Sequence, residues 1–388
     1  MKYLERDDAI LVLEDGTYYT GKSIGTAANE GRFAEVVFNT SMSGYQEIIS
    51  DPSYKGQMVC FTYPSIGNYG ANHEDNESTH PHLEAIIVKD YCENPSNFRS
   101  NSTLEEYLVK NKVSGITGID TRKLAMHIRE AGSMRAALYT TKIENAAQFA
   151  LEKATEIKKH PDMNGLDLAG AFTGIEANEY VSKTVKEMGK SPDSMKKIAV
   201  LDFGIKYSIL MNFLQNDIFP EVFPGGVDLK EQKDFNPGSF SGFFLSNGPG
   251  DPAAVKTGIE NIKYLLGLKK PTFGICLGHQ MLSLALGAKT FKMKFGHHGG
   301  NLPVKTVSKP RVLITAQNHG FAADEGSLKK LFEGRKNSTI DINPNDQSIE
   351  GFTLSDEGLK IISVQFHPEA APGPNDARVL FKEFSELL

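Results

Sequence analysis

The sequence predicts an α/β fold in two domains. The C-terminal domain is a mostly parallel sheet with helices on both faces, and a separate mixed α/β domain precedes it. Three observations carry this. In the C-terminal half, short apolar runs alternate with helical patterns, the signature of a parallel sheet covered by crossover helices. In the N-terminal half, hairpin and strand patterns mix with an isolated capped helix. Between them the composition shifts: Lys158 to Asp193 holds "KKHPDMNG", "LAGAFTG" and "MGKSPDS", dense in Gly, Pro, Ser and charge, as linker and surface segments are. The expected division is a domain over 1–155, a linker over 156–194 and a second domain over 195–388. A chain of 388 residues exceeds the usual single domain.

The elements follow in order. "AILVLEDGTYYTG" predicts two strands about an Asp15-Gly16 turn. "AEVVFNTS" and "LEAIIVKDY" predict further strands. "DTRKLAMHIREAG" predicts a helix with Asp120 as N-cap and Gly132 just past its end. "KKIAVLDFG" is a buried-type strand followed by the helical "YSILMNFLQ". "FSGFFLSN" is a second, followed by the loop "GPGDP" and the helical "GIENIKYLLGL". "PTFGIC" is a third, followed by "HQMLSLALG". "LKIISVQFHPE" closes the series as another apolar strand. Ligands on such sheets sit at the carboxyl ends of the strands, where Cys276 and the loop after Asn247 both fall.

Composition narrows the function classes. The formal net charge is −6 and the basic residues form no long run, which argues against a nucleic-acid or membrane partner. No apolar run reaches the ~20 residues of a membrane span, and the charged start "MKYLERDDAI" is unlike a signal peptide. Cys60, Cys92 and Cys276 are too few and too scattered for a disulfide framework or a Cys-rich metal site, so a reducing, cytoplasmic location is expected.

Gly274-x-Cys276-x-Gly278 has the spacing of a nucleophile elbow, a strand-to-helix turn that lifts a side chain out at the sheet edge. Glycines allow a turn in which side chains would clash. The following helix would aim its N-terminal end at the sulfur, a setting that favours thiolate. A base is available at the end of another strand: if the backbone of "HPE" stays extended, His367 and Glu369 face one side. Glu369 then orients His367, which takes the thiol proton, the logic of nucleophile, base and orienter. "SNGPGDP" could supply backbone N–H groups to an oxyanion, although such a loop is most often only a turn. Cys60 and Cys92 are expected to be small buried hydrophobes, and His80, His82 and His127 hydrogen-bonded structural groups. Adjacent His297 and His298 would point oppositely on a strand and no third ligand is evident, so no metal site is expected. Neither a phosphate-binding loop nor a dinucleotide fingerprint occurs. A stand-alone hydrolase and a non-catalytic subunit with a vestigial site remain as rival readings of the same residues.

Together, "GICLGHQ" and "HPE" resemble the class I glutamine amidotransferases. The match narrows with "NTSMSGYQEIISDPSYKGQ", "TYPSIGNYG", "GIDTRKLAMHIRE", "DFGIK", "SNGPGDP", "FGHHGGN" and "QNHGF". These resemble the small-subunit family of carbamoyl-phosphate synthase over nearly the whole chain. The resemblance implies glutamine hydrolysis through a glutamyl thioester on Cys276, with His367 and Glu369 completing the triad and the amides of Gly248 and Leu277 holding the oxyanion. It implies glutamine bound by Ser41, Gly248, Gly250, Leu277, Gln280, Asn318, Gly320 and Phe321, with Ser41 reaching in from the N-terminal domain. It implies a large-subunit partner, in a heterodimer or higher oligomer, that receives the ammonia and makes carbamoyl phosphate for arginine and pyrimidine synthesis. No cofactor is expected in this chain; ATP and metal ions belong to the large subunit. Two departures stand out: Leu302 where a histidine is common, and "KYSILMNF" after "DFGI". Neither is expected to touch the catalytic residues.

Overall fold

The computed structural model describes residues 5–307 and 310–388. Met1–Leu4, the start of the segment weighed above as a signal peptide, lie outside the described residues. The chain divides into two compact units, one running to Leu166 and including Lys294–His298, the other made of Asp167–Met293 and Gly299–Leu388.

The N-terminal unit is a closed seven-stranded barrel. Its strands run in the order Asp8–Leu13, Tyr18–Gly25, Ser114–Thr117, Ala85–Ile87, Gln57–Phe61, Arg32–Asn39 and Met134–Thr140. The predicted hairpin is its first pair, antiparallel with Leu11 opposite Tyr19. Gly16 there has φ +90°, a left-handed conformation that glycine adopts without strain. Alternation along the first strand serves two cores. Ala9, Leu11 and Leu13 pack with Val36, Met58 and Leu124, while Ile10 and Val12 pack with Ala150 and Ile157. The helix Thr121–Ala131 starts as predicted, Asp120 accepting from the Lys123 amide at 2.9 Å. "LEAIIVKDY" is interrupted, however, giving Ala85–Ile87 in the barrel and Asp90–Tyr91 in a two-stranded ribbon with Ser65–Ile66. Cys60 is fully buried, but Cys92 is only half-buried, because it follows that ribbon rather than a barrel strand.

The expected linker is not a linker throughout. Helix Ala146–Ile157 extends into it on the N-terminal side. Ile175–Glu187 is a 13-residue helix whose Ala177, Val181 and Val185 enter the core of the C-terminal unit. Its Gly- and Pro-rich flanks masked an apolar stripe at helical spacing.

The C-terminal unit carries a nine-stranded sheet. Its order is Ile218–Pro224, Lys196–Asp202, Gly242–Leu245, Thr272–Ile275, Leu359–Val364, Ile349–Asp356, Ser338–Ile342, Thr290–Thr306 and Arg311–Ala323. The first five are mutually parallel. Helices cover both faces. Tyr207–Gln215 and Val379–Leu387 pack with Val200, Phe244 and Phe273, while Lys256–Gly267 and Leu277–Ala285 pack with Leu201, Phe243 and Leu245. Gly242–Leu245, Thr272–Ile275 and Leu359–Val364 are immediate neighbours in this sheet.

Candidate active site

Cys276 follows the strand Thr272–Ile275 and precedes the helix Leu277–Ala285. Its amide donates to the Val364 carbonyl at 2.9 Å, so it is still held by the sheet, while its own carbonyl accepts from the Gln280 amide at 3.1 Å. The turn between these roles requires φ +53° and ψ −107°, a strained conformation costing about 1–3 kcal/mol. The flanking glycines explain how it fits. A Cβ on Gly278 would lie 2.2 Å from the Leu245 carbonyl oxygen, and one on Gly274 would press on the Gly278 backbone at 3.0 Å. Helix and strand therefore cross too closely for any side chain, and Cys276 is left as the group presented at the sheet edge. It is 2 % exposed, with Sγ 3.5 Å from the Asn318 carbonyl oxygen.

His367 and Glu369 arrive from the next strand, but not as alternate residues of an extended run. The strand ends at Val364. His367 then makes a single bridge, its amide donating to the Ala316 carbonyl at 2.8 Å, and the chain turns so that the Ala370 amide donates to the His367 carbonyl at 3.2 Å. Pro368 cannot donate to a ladder, which favours this turn. The turn brings Nδ1 of His367 2.6 Å from Oε1 of Glu369. That nitrogen must donate, since the carboxylate only accepts, and Nε2 has no hydrogen-bond partner among the described residues.

Glu369 has a second partner. Nζ of Lys206 donates to the same Oε1 at 2.9 Å and also to the carbonyls of Ala370 at 2.9 Å and Ala371 at 3.0 Å. Both alanines have positive φ, 64° and 49°, so a strained backbone wraps one ammonium. Lys206, 2 % exposed, begins the stretch "KYSILMNF", so the expectation that this stretch would leave the catalytic residues untouched is corrected. Asp202, just upstream, shapes the turn. Its Oδ1 accepts from Gly204 and Ile205 and its Oδ2 from Gly174; burial nonetheless holds its pKa above the ordinary carboxylate value. The motif "DFGIK" contains both residues, but no local pattern shows a lysine turned inward.

The charges are coupled. Burial alone would push the His367 imidazole down, yet the Glu369 carboxylate and the Cys276 sulfur raise it to about 10. Burial would raise Glu369, but Lys206 and then His367 lower it to about 2. An imidazole that holds its proton more tightly in the folded chain stabilises the fold fully below its ordinary value of 6.5, and this is lost as pH rises through about 10. Glu369 contributes above its ordinary 4.5, a contribution lost as pH falls through about 2. The melting-temperature gap between the wild type and His367→Asn should therefore be widest below about pH 6.5 and narrow as the pH rises toward about 10. A gap that widens with alkaline pH would mean the folded imidazole is neutral.

The other predicted residues fall around this array in the same unit, except one. Leu277 and Gln280 lie on the elbow helix, and Gly248 and Gly250 on the loop after Gly242–Leu245. Gly248 has no room for a side chain, its Cβ position being 2.1 Å from the Phe203 carbonyl oxygen. Asn318, Gly320 and Phe321 lie on the strand Arg311–Ala323, and Gln280 Nε2 donates to the Phe321 carbonyl at 2.7 Å. Ser41 belongs to the N-terminal unit, where its amide donates to Asn39 Oδ1 at 2.7 Å.

Comparison with known proteins agrees with this architecture. Residues 11–138 match the family model described as the carbamoyl-phosphate synthase small chain, CPSase domain, and residues 199–387 match that of class-I glutamine amidotransferases. The carbamoyl phosphate synthase small chain of Syntrophotalea carbinolica is 45% identical, with 98% of this chain and 97% of that one covered. The proteins of the same name from Archaeoglobus fulgidus and Escherichia coli K12 are 44% and 43% identical. Each alignment covers 98% of this chain, and 98% and 97% of those chains respectively. With a strained cysteine elbow, a buried His–Glu–Lys array and this likeness along its length, the chain belongs to the carbamoyl-phosphate synthase small-chain family and carries a class I glutamine amidotransferase domain.

Proposed function

We propose that the chain hydrolyses L-glutamine and passes ammonia to a large subunit. The observation that carries this is the buried Cys276–His367–Glu369–Lys206 array at the carboxyl ends of adjacent parallel strands. Cys276 attacks the side-chain carboxamide. The oxyanion is held by the amides of Leu277, first in its helix and outside that helix's own hydrogen-bond ladder, and of Gly248. His367, already carrying a proton, protonates the departing nitrogen, and ammonia leaves a glutamyl thioester. The imidazole, now neutral, takes a proton from water as the water oxygen adds to the thioester carbonyl; the C–S bond then breaks, releasing glutamate and restoring the sulfur beside a protonated His367. Glu369 keeps the imidazole oriented and basic, and Lys206 holds Glu369 and its turn in place.

The glutamine cradle is formed by Gly248, Gly250, Leu277, Gln280, Asn318, Gly320 and Phe321, all in the C-terminal unit. A Cβ on Gly320 would meet no atom within 4 Å, so packing does not demand glycine there and the space beside it is open to a ligand. The large subunit would use bicarbonate and ATP to make carbamoyl phosphate, which suits a small chain with no phosphate-binding loop. The assembly is a heterodimer or a multiple of it in the cytoplasm. No helix among the described residues is long and apolar enough to cross a membrane.

A diazo-ketone analogue of glutamine should alkylate Cys276, and mass spectrometry of the digest should place the adduct there. Modification of Cys60 or Cys92 with Cys276 unmodified would overturn the assignment.

A further inference from the structure

Gln365 is fully buried, two residues before His367, and its Nε2 has no hydrogen-bond partner among the described residues. Such an orphan is unfavourable, and a leucine of similar volume would not incur it. The other end of the same amide does have a partner: Oε1 accepts from Gln280 Nε2 at 3.1 Å. Gln280 Nε2 also donates to the Phe321 carbonyl at 2.7 Å. An amide nitrogen has two hydrogens, and both are now placed. The Phe321 carbonyl can only accept, so it sets which end of the Gln280 amide faces it. Turning Gln365 over would set one NH₂ against another. Gln280 Oε1 is thereby left pointing away from both partners, and it accepts no hydrogen bond from the described residues.

We infer that Gln365 is a positioning residue that locks the Gln280 amide so that its oxygen faces the α-ammonium group of the substrate. This rests on the glutaminase function proposed above. Gln280 lies one helical turn beyond Cys276 on the same face, and its side chain leans back toward the helix start. The substrate carries two kinds of N–H donor. The carboxamide nitrogen must go to His367, which comes from the neighbouring strand. The donor left for Gln280 is the charged nitrogen at the far end of the substrate. A buried acceptor of fixed orientation discriminates strongly against a substrate that lacks its donor.

The test compares kcat/KM for L-glutamine with that for 4-carbamoylbutanoate, the same molecule without its amino group. The wild type should favour glutamine by at least about a hundredfold. Gln365→Leu and Gln365→Met, which remove the acceptor, should lower that ratio about tenfold or more, chiefly through KM for glutamine. Gln365→Glu keeps an acceptor oxygen and should hold the ratio within about twofold. A merely structural role would lower both substrates together and leave the ratio unmoved in the Leu and Met variants, and that result would overturn the inference. Equal use of both substrates by the wild type would do the same. If neither apolar variant accumulates, the Glu variant decides, a ratio below half the wild-type value counting against the inference. Failure of the glutaminase function is distinguishable, because the wild type would then hydrolyse neither compound.

Discussion

Cys276→Ser, assembled with the large subunit, should lose glutamine-driven carbamoyl phosphate synthesis by a factor on the order of 10³ or more, while ammonium-driven synthesis stays near the wild-type rate. Serine fits the elbow, since it replaces one small atom and leaves Gly274 and Gly278 to make the crossing. Its hydroxyl is far less acidic than a thiol, so the same imidazole cannot activate it as well. Glutamine should still bind, because Gln280, Phe321 and the loop amides are unchanged; calorimetry on the isolated chain checks this separately from turnover. The two rival readings give different results. A stand-alone hydrolase would show no partner reaction for ammonium to sustain, and a vestigial site would show no loss at all. If glutamine-driven and ammonium-driven synthesis fall together, Cys276 is structural and the elbow has no catalytic role.

Lys206→Met should both destabilise the C-terminal domain and slow glutamine hydrolysis. Removing one member of a buried, hydrogen-bonded ion pair strands the other, a loss of about 3–5 kcal/mol. For a domain of this size that is a fall in melting temperature on the order of 10 °C. Methionine fills a similar volume, so the loss reports charge and hydrogen bonding rather than a cavity. Three acceptors lose their donor at once: Glu369 Oε1 and the carbonyls of Ala370 and Ala371. Glu369 would then keep only His367, and the turn that holds both would relax. Turnover should fall at least tenfold, since a displaced base loses its alignment with the sulfur. Thermal melting and steady-state glutaminase assays on the same preparation test this. A Lys206→Met protein with unchanged melting and unchanged kcat would show that Lys206 merely fills space and that His367 and Glu369 need no third partner.

Much of this site was legible in the one-dimensional pattern, and the failures share a cause. Cys276 stood out because its signal is local: two glycines at fixed spacing, an apolar run before and a helical run after. His367 and Glu369 were legible as a pair near a strand end, but the geometry expected for them was not the one found. Strand alternation is a rule for ladder-paired residues, and the ladder stops at Val364, before either residue. The linker was misjudged for a similar reason. Gly- and Pro-rich flanks dominate the composition of 156–194, while the apolar stripe of helix Ile175–Glu187 acquires meaning only against the sheet it packs on.

Sequence alone indicated the strand–helix alternation of the C-terminal half, the N-terminal hairpin, the helix capped by Asp120 and the elbow, and it marked Cys276, His367 and Glu369 as candidates for nucleophile, base and orienter. These depend on side-chain periodicity, turn chemistry and short spacings, all of which act over a few residues. Tertiary structure alone decided that the strands ending at Leu245, Ile275 and Val364 are neighbours. It also decided that Lys206 meets Glu369 across 163 residues, that Gln280 meets Gln365 across 85, and that Lys294–His298 joins the barrel unit. Each is a pairing between residues far apart in the chain, specified by how apolar faces pack and by which buried polar groups must find partners. A buried lysine and a buried glutamine acquire their roles only when the chain has closed around them and taken water away.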